Sequence, residues 1–236
     1  MNAIISPALQ NNHALLKACE ALDTASLSDA LDSLGLAGGL AGLNNQQVPG
    51  TRCIGFAYTV LYEPVQERNG FRSAANYIDE VPPDAVIVSS NPGRTDCTTW
   101  GDILTHVAIS RGIRGTLIDG AARDIDTVQR LNYPLFSRAR FMQSAKNRVQ
   151  LKATQIPVQI SGVTINPGDV MVCDSSGCLA IPADKAQEVI RRAQAVEQTE
   201  KDIIQSVSNG YTLEQARALH RYDQPWLSSK EKQANA

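Results

Sequence analysis

Two periodicities alternate along the chain, and they predict an alternation of helices and strands. Apolar positions recur at the helical spacing of three to four residues in five segments: 13–22, 26–34, about 70–77, 102–111 and 124–131. Short apolar, often β-branched runs indicate strands at Cys53–Tyr62, Ala85–Ser89, Gly115–Ile118, Pro134–Ser137, Val158–Ile160, Val170–Cys173 and Cys178–Ile181. Mixed strands with helices on the outside predict an α/β fold.

The longest helical pattern runs from Ala183 to about Val207 near the C-terminus. Its apolar positions predict one face of an amphipathic helix and are Val189, Ile190, Ala193, Val196, Ile203 and Ile204. Gly210 is predicted to end this helix, and the polar tail Leu227–Ala236 is predicted to fray. Earlier in the chain, Gly35–Gly50 is rich in glycine and asparagine and therefore predicts a loop.

Length and composition are typical of one globular domain. The chain has 236 residues, of which 43% are hydrophobic, enough to build one sizeable core. We therefore expect a single domain over residues 1–236, with its core at about 20–210. A net charge of −2, a pI near 5.9 and the lack of a Lys/Arg block argue against nucleic-acid binding as the main function.

The N-terminus and the cysteines indicate a cytoplasmic protein. Met1–Pro7 lacks the charged start and long apolar core of a secretion signal, and no apolar run approaches the length of a membrane span, so no membrane association is expected. The five cysteines are an odd number without zinc-type spacing, which argues against a disulfide framework. Cys173 and Cys178 are predicted to be small core residues.

Candidate chemistry centres on Asp102, Arg123 and Asp124. Ile113–Ile118 predicts a buried strand that ends at the turn signal Asp119-Gly120, and Asp124 then opens a helical pattern. Ligands often bind at the carboxyl end of a strand that leads into a helix. There, Asp124 can give a hard divalent ion one oxygen ligand, Asp102 can orient the waters of that ion, and Arg123 can bind a substrate carboxylate or a developing enolate. A helix cap or a surface ion pair is the alternative for Arg123-Asp124.

The start of the next helical segment adds an anion site without a side chain. Gly101-Asp102-Ile103-Leu104 lies where a helix is predicted to begin, and the first amides of a helix lack partners within it. The amides of Ile103 and Leu104 can therefore receive the α-carboxylate of a substrate, helped by the helix dipole.

These motifs together resemble the RraA-like superfamily, and especially its 4-hydroxy-4-methyl-2-oxoglutarate aldolase branch. The resemblance rests on the 20-residue spacing between Asp102 and Arg123-Asp124 and on the Asp-Gly-x-x-Arg-Asp turn. Four further segments match the pattern, namely Thr24–Gly35, Gly55–Val60, Ile165–Val170 and Asp174–Pro182, so that it spans about residues 20–210. The resemblance implies the swivelling β/β/α fold, a layered sandwich whose strands pair in both directions.

The resemblance also implies a metal and an oligomer. Asp124 corresponds to the single direct protein ligand of Mg²⁺ or Mn²⁺, and Asp102 to a carboxylate that holds the metal's waters. A third carboxylate comes, in the family, from the C-terminal helix of a neighbouring subunit, and Glu200 is the expected residue, with Glu197 as the alternative. A solvated Glu200 beside Lys201 is the other interpretation. A shared site requires an oligomer, and a trimer or hexamer is usual in the family.

The activity that the resemblance implies is metal-dependent cleavage of a carbon–carbon bond in a 2-oxo acid. Retro-aldol cleavage would give pyruvate, Arg123 would stabilise the enolate, and oxaloacetate would be decarboxylated through the same enolate. No lysine is placed for a Schiff base in this motif, which argues against the imine route.

Three alternatives stay open. The same site could act on another oxo or hydroxy acid, or the chain could be a non-catalytic regulator of the RraA type that binds a ribonuclease. A methyltransferase is disfavoured, because Gly35–Gly42 follows a predicted helix and not a strand.

The functions of three further polar residues are undecided. His106 lies one turn after Asp102 and is expected to be packed and neutral, although histidine exchanges protons readily near neutral pH. Arg94 and Asp96 precede the motif and could either shape substrate choice or form a surface ion pair.

Overall fold

A computed structural model describes residues 7–47, 49–65 and 75–227. Its helices are α1 (Pro7–Glu20), α2 (Thr24–Asp32), α3 (Asp102–Ser110), α4 (Ile125–Arg130), α5 (Ala186–Ser208) and α6 (Leu213–His220), with a 3₁₀ helix at Asn76–Glu80. Its strands are β1 (Asn44–Asn45), β2 (Cys53–Pro64), β3 (Ala85–Thr98), β4 (Gly115–Ala122), β5 (Leu135–Arg140), β6 (Val149–Thr154), β7 (Val158–Ile160), β8 (Val163–Ile165), β9 (Val170–Cys173) and β10 (Cys178–Ile181).

Two compact units make up the chain. The larger is Gly38–Ala183, and the smaller combines Met1–Ala37 with Asp184–Ala236. The expectation of one domain over residues 1–236 stays a prediction.

The larger unit is built on a mixed sheet with the strand order β1-β5-β4-β3-β2-β9-β10, in which β6 also pairs with β2. Strands β2 to β5 run parallel to one another, whereas β1, β6, β9 and β10 pair antiparallel. Strands β7 and β8 form a separate antiparallel hairpin. The predicted mixed α/β fold is therefore confirmed.

Alternation of side chains along β3 explains how the sheet is buried on both faces. Ala85 and Ile87 belong to one apolar cluster, which also holds Ala108 of α3 and Val128 of α4. Val86 and Val88 belong to a second cluster, which includes the β7–β8 hairpin and β9. Because both faces are covered, the central strands are continuous apolar runs, as is usual for parallel strands.

The parallel strands bring the predicted chemistry to one edge of the sheet. Strand β3 is followed by α3, and β4 is followed by Arg123-Asp124 and α4. Parallel neighbours end at the same edge, and Thr98 of β3 is paired with Ala121 of β4. The residues that follow each strand are therefore neighbours in space.

The smaller unit confirms the long C-terminal helix. Helix α5 buries Val189, Ala193, Val196 and Ile203 at helical spacing. Ile204, predicted to share this face, is instead 66% exposed, because one residue turns the side chain about 100° away from Ile203. None of the helices in the described part of the chain is both long and apolar enough to cross a membrane.

Several predicted boundaries were wrong for identifiable reasons. Asp119-Gly120 does not end β4: Gly120 pairs with Arg94 of β3, and the Asp119 carboxylate accepts from Arg138 Nε and, at 2.9 Å, from the Gly93 amide. Helix α4 begins at Ile125 and not at Asp124, which precedes it in a left-handed conformation and makes no side-chain capping hydrogen bond.

The sequence patterns also missed some elements. Strands β6 and β8 and helix α6 were not predicted, and the two-residue β1 lies inside the predicted 35–50 loop. The predicted helix at about 70–77 and the predicted frayed tail fall mostly outside the described residues, although Asn76–Glu80 forms a 3₁₀ helix.

The five cysteines are buried free thiols, as predicted for Cys173 and Cys178. Cys173 of β9 is paired in register with Cys53 of β2 and with Cys178 of β10. Burial, together with these two thiols, raises the pKa of the Cys173 thiol well above its usual value, which disfavours the reactive thiolate form.

Candidate active site

A cavity of about 410 Å³ lies in the larger unit, where β3 and β4 end and α3 begins. Its lining comes from the ends of these elements, from the 3₁₀ helix and from the loop between β5 and β6. The lining residues are Ala75, Asn76, Ile78, Asp79, Thr98, Thr99, Trp100, Gly101, Asp102, Ile103, Leu104, Val107, Arg123, Ser144, Ala145 and Lys146.

Asp102, Arg123 and Asp124 converge, as the motif predicted. The Arg123 amide donates to the Trp100 carbonyl at 3.1 Å, which links the end of β4 to the segment that follows β3. The Asp102 amide donates to Asp124 Oδ2 at 3.0 Å, and Arg123 Nε lies 3.4 Å from the same oxygen. The Arg123 and Asp124 side chains are 39% and 36% exposed, so both are accessible to solvent.

Asp124 holds this position at a conformational cost. Its φ of 56° and ψ of 37° are left-handed, a region that non-glycine residues seldom adopt. Such strain, of order 1–3 kcal/mol, persists where the surroundings fix it and is concentrated at functional sites. Here the hydrogen bond from the Asp102 amide orients the carboxylate.

Gly101 leaves space that any other residue would fill. A Cβ at this position would lie 2.5 Å from Asp124 Oδ2 and 3.2 Å from Arg123 Nε. The backbone of Gly101 is extended, with φ of −161°, so the requirement for glycine is one of space and not of conformation. The missing side chain lets the carboxylate and the guanidinium approach the start of α3.

Substituting Gly101 with alanine is expected to impair the site more than the fold. The added methyl must displace Asp124 Oδ2, the end of a flexible side chain, so stability should change little. A displacement of about 1 Å in such a site can lower a rate about a hundredfold. Steady-state rates and thermal melting of Gly101→Ala measure the two effects, and Gly39→Ala, where a Cβ meets no atom within 4 Å, is the control. Wild-type rates for Gly101→Ala would contradict this account of the site.

The first turn of α3 differs from the prediction in one respect. The Ile103 amide is not without a partner, because it donates to Asp102 Oδ1 at 2.7 Å. Side chains of Asp at a helix start commonly satisfy these amides themselves. An incoming carboxylate would have to displace Asp102 Oδ1 from the Ile103 amide. Leu104, the other predicted contact, lines the cavity in the same turn.

The undecided residues lie away from the cavity lining. His106 is exposed on α3, so the expectation that it is packed was wrong: the buried residues of this helix are Thr105 and Ala108. Arg94 forms a two-bond ion pair with Asp96 and donates from Nη1 to the Arg148 carbonyl at 3.2 Å. The guanidinium lowers the pKa of the Asp96 carboxyl.

Glu200 and Glu197 lie on α5 in the smaller unit. Partial burial raises the pKa of Glu200, and the nearby Asp23, Asp29 and Glu197 carboxylates raise it further. Glu197, and not Glu200, binds Lys201, at 3.1 Å. A contribution of either residue to a neighbouring subunit's site stays a prediction.

The side chains near Asp124 limit which metal the site could hold. Among the described residues, no group of three or more His, Cys, Asp or Glu side chains is placed to hold a metal ion. The described residues therefore do not form a closed zinc site or a calcium site with protein ligands alone. One oriented, accessible carboxylate, Asp124, with Asp102 next to it, fits a hard ion that keeps most of its waters, such as Mg²⁺.

Sequence patterns missed several lining residues. Thr99 is buried at 7% exposure, and its Oγ1 has no hydrogen-bond partner among the described atoms. Asn76, Asp79, Ser144 and Lys146 come from segments far from the motif in sequence. No local signal identifies them, because only the tertiary fold brings the 3₁₀ helix and the β5–β6 loop to α3.

The fold and the site together define a mixed α/β protein with a carboxylate–guanidinium site at a helix N-terminus. Comparison with known families agrees: the model of the RraA-like family, described as Aldolase/RraA, matches residues 24–180. The chain belongs to the RraA-like family, as its motifs predicted.

Two individual proteins are similar to this chain in sequence. Protein DlpA of Legionella pneumophila is 46% identical over 211 residues, which are 89% of this chain but 34% of that protein, so the chain spans about a third of DlpA. A Halalkalibacterium halodurans protein named "Putative 4-hydroxy-4-methyl-2-oxoglutarate aldolase" is 34% identical over 178 residues, 73% of this chain and 79% of that one.

A solved structure supports the predicted fold. The crystal structure of an uncharacterized protein from Pseudomonas syringae pv. tomato has 63% sequence identity and a TM-score of 0.79, and the match covers 87% of this chain and 97% of that chain. The mixed α/β fold with a long C-terminal helix, expected from the family resemblance, is thus confirmed.

Proposed function

We propose that the chain is a divalent-metal-dependent lyase that cleaves a carbon–carbon bond of a 2-oxo acid. The reaction would be a retro-aldol cleavage of the 4-hydroxy-4-methyl-2-oxoglutarate type, which releases pyruvate. One observation carries the proposal: the Arg123 guanidinium and the first turn of α3 line one cavity, and the Asp124 carboxylate contacts both of them. The aldolase name of the Halalkalibacterium relative supports the same class.

Asp124 would hold the metal, Mg²⁺ or Mn²⁺, through its carboxylate, and Asp102 would orient the metal's waters. When bound, the ion would act as a Lewis acid that withdraws electrons from the 2-oxo group. The hydrogen bond from the Asp102 amide fixes Asp124 Oδ2, so the ligand is oriented before the metal arrives.

Arg123 and the helix start would bind the acid. The amides of Ile103 and Leu104, which follow Gly101, would receive the α-carboxylate once it displaces Asp102 Oδ1 from the Ile103 amide. Arg123 would lie beside the keto oxygen and stabilise the negative charge that develops there. Its ion pair with Asp124 holds the guanidinium in place without burying it.

Bond cleavage would proceed between C3 and C4 of the substrate. A water takes the proton of the C4 hydroxyl, the C4 oxygen forms a carbonyl, and the electron pair of the C3–C4 bond passes into the enolate of pyruvate. Protonation of C3 completes pyruvate. Oxaloacetate would lose CO₂ through the same enolate, since the leaving group alone differs.

The proposal includes a homotrimer or hexamer in which Glu200 of one subunit completes the site of the next. Partial burial of Glu200 among carboxylates raises its pKa, which suits a group that receives a proton or a cation. Sedimentation velocity would report the oligomeric state of wild type and Glu200→Gln, and pyruvate release would report their rates. We expect Glu200→Gln to keep the oligomer and to release pyruvate more slowly. A monomeric wild type would contradict a shared site.

Metal-dependent pyruvate release tests the proposed function. Purified protein would be freed of metal with EDTA and assayed with Mg²⁺ or Mn²⁺ on 4-hydroxy-4-methyl-2-oxoglutarate, oxaloacetate and a panel of other 2-oxo acids. Turnover that needs the metal supports a lyase, and the panel identifies its substrate. No turnover of any of them with either metal would overturn the proposal and favour a regulator that binds a ribonuclease, since the family description joins aldolases with RraA.

A further inference from the structure

A buried hydroxyl group without a hydrogen-bond partner lies in the wall of the cavity. Thr99 lines the cavity just before the start of α3, and only 7% of this residue is exposed. Its Oγ1 is buried and has no hydrogen-bond partner among the described atoms. Leaving a buried polar group unpaired costs free energy, so most such groups in proteins have a partner. An unpaired hydroxyl beside a cavity is therefore a candidate group for binding a ligand.

Ser89 of β3 shows that burial without a partner does not by itself indicate ligand binding. Its Oγ is also buried and unpaired, and the residue is 1% exposed. Ser89 lies within β3, in register with Val60 of β2 and Ile118 of β4, and it does not line the cavity. Of the described side chains with an unpaired buried atom, Thr99 alone lines this cavity. Ser89 is therefore a matched control for Thr99.

The backbone is fixed on both sides of Thr99. The amide and the carbonyl of Thr98 are both hydrogen-bonded to the loop between β5 and β6, each at 2.8 Å. The Trp100 carbonyl accepts from the Arg123 amide at 3.1 Å, and the Trp100 ring stacks on Tyr133 with 5.8 Å between the ring centroids. The main chain at Thr99 is thus held beside Arg123 before any ligand arrives, which lowers the entropy lost on binding.

The chemistry of a threonine hydroxyl indicates which group of the substrate it contacts. In the proposed function, the α-carboxylate binds at the first turn of α3 and the keto oxygen lies beside Arg123. The uncharged polar group that remains is the C4 hydroxyl. A threonine hydroxyl donates one hydrogen bond and can accept others, so it matches a second hydroxyl, whereas carboxylates bind more strongly to charged donors.

We infer that Thr99 Oγ1 binds the C4 oxygen of the substrate, so that Thr99 is required for retro-aldol cleavage and dispensable for oxaloacetate decarboxylation. This inference rests on the proposed function. During cleavage, the C4 oxygen loses its proton to water and becomes a carbonyl oxygen. A hydrogen bond donated by Thr99 holds that oxygen in place and stabilises its negative charge as the proton leaves.

Oxaloacetate differs from the aldol substrate at this atom. It has no hydroxyl at C4, because its C4 is the carboxylate that leaves as CO₂. A hydrogen bond from Thr99 to that carboxylate would weaken as neutral CO₂ forms, so it would not favour the transition state over the bound substrate. The two reactions, which share one enolate, should therefore depend differently on Thr99.

Rates of the two reactions test the inference. Thr99→Val keeps the shape of the side chain and removes its hydroxyl. We expect this variant to lower kcat/KM for 4-hydroxy-4-methyl-2-oxoglutarate by about tenfold and kcat/KM for oxaloacetate by less than about twofold. Thr99→Ser, which keeps a hydroxyl, should retain most of both activities. Ser89→Ala should match wild type in both reactions, because Ser89 lies away from the cavity.

Two unreactive ligands add a readout that needs no turnover. Neither 2,4-dihydroxyglutarate nor 2-hydroxyglutarate has the 2-oxo group that cleavage requires, and the two differ only in the C4 hydroxyl. In titration calorimetry with Mg²⁺-loaded protein, we expect wild type and Thr99→Ser to prefer the dihydroxy ligand by about tenfold. Thr99→Val should bind both ligands alike, with no fall in melting temperature, because valine removes an unpaired polar group.

Failure of the inference can be distinguished from failure of the proposed function. If wild type released pyruvate but bound both ligands equally, or if Thr99→Val kept the full cleavage rate, Thr99 would not bind the C4 oxygen and the lyase proposal would stand. Equal losses of both reactions in Thr99→Val, with a lower melting temperature, would overturn the inference in favour of a structural function for Thr99. If wild type released no pyruvate from either substrate, the proposed function itself would be wrong.

Discussion

Replacing Asp124 with asparagine is expected to abolish metal-dependent turnover, with a loss of metal affinity greater than about a hundredfold. Altering groups that merely orient a metal's ligands costs about 10- to 100-fold, and Asp124 is the proposed ligand itself. Asparagine keeps the shape and tolerates the left-handed conformation of this residue, whereas alanine would add backbone strain. The variant therefore removes the charge while the fold is preserved.

Metal binding and the rate of pyruvate release would both be measured for Asp124→Asn. Mn²⁺ binding by electron paramagnetic resonance and pyruvate release should both fall in Asp124→Asn, with an unchanged melting temperature. Asp126→Asn is the matched control, since Asp126 is an exposed acid in the first turn of α4, two residues away. If Asp124→Asn bound Mn²⁺ as tightly as wild type, Asp124 would not be a metal ligand.

Replacing Arg123 with methionine is expected to lower kcat by about 10²- to 10³-fold while metal affinity is largely retained. Arg123 contacts Asp124 through Nε, but the carboxylate is also held by the Asp102 amide, so the metal ligand should stay in place. The keto oxygen, by contrast, would lose the hydrogen-bond donor that stabilises its developing negative charge.

Comparing Asp124→Asn with Arg123→Met separates metal binding by Asp124 from charge stabilisation by Arg123. Mn²⁺ titration and single-turnover rates would be measured for Arg123→Met beside Arg130→Met, an exposed arginine of α4 whose guanidinium contacts Thr127. Equal losses of metal affinity in Asp124→Asn and Arg123→Met would show that Arg123 holds the metal site together and is not a separate charge stabiliser.

The convergence of Asp102, Arg123 and Asp124 could be predicted from sequence because simple rules govern it. Apolar runs marked β3 and β4 as buried strands, and parallel neighbours end at the same edge of a sheet. Residues that follow the two strands must then be close. The 20-residue spacing added a family resemblance, which the family comparison confirmed.

Other features of the site depend on contacts that no local pattern contains. Lys146 reaches the cavity only because the β5–β6 loop bonds to Thr98, about 45 residues earlier in the chain. The hydrogen bond from the Ile103 amide to Asp102 Oδ1 depends on the orientation of the Asp102 side chain, which the sequence pattern does not specify. His106 was expected to be packed, yet the buried face of α3 is set by Thr105 and Ala108.

The position of a bound metal ion tests the central claim most directly. A crystal grown with Mn²⁺ and oxalate, a two-carboxylate mimic of the pyruvate enolate, would show the ion through its anomalous scattering. We predict the ion on the Asp124 carboxylate, with Asp102 on its waters, and the oxalate between Arg123 and the first turn of α3. An ion and an oxalate bound away from Asp124 and Arg123 would contradict the account.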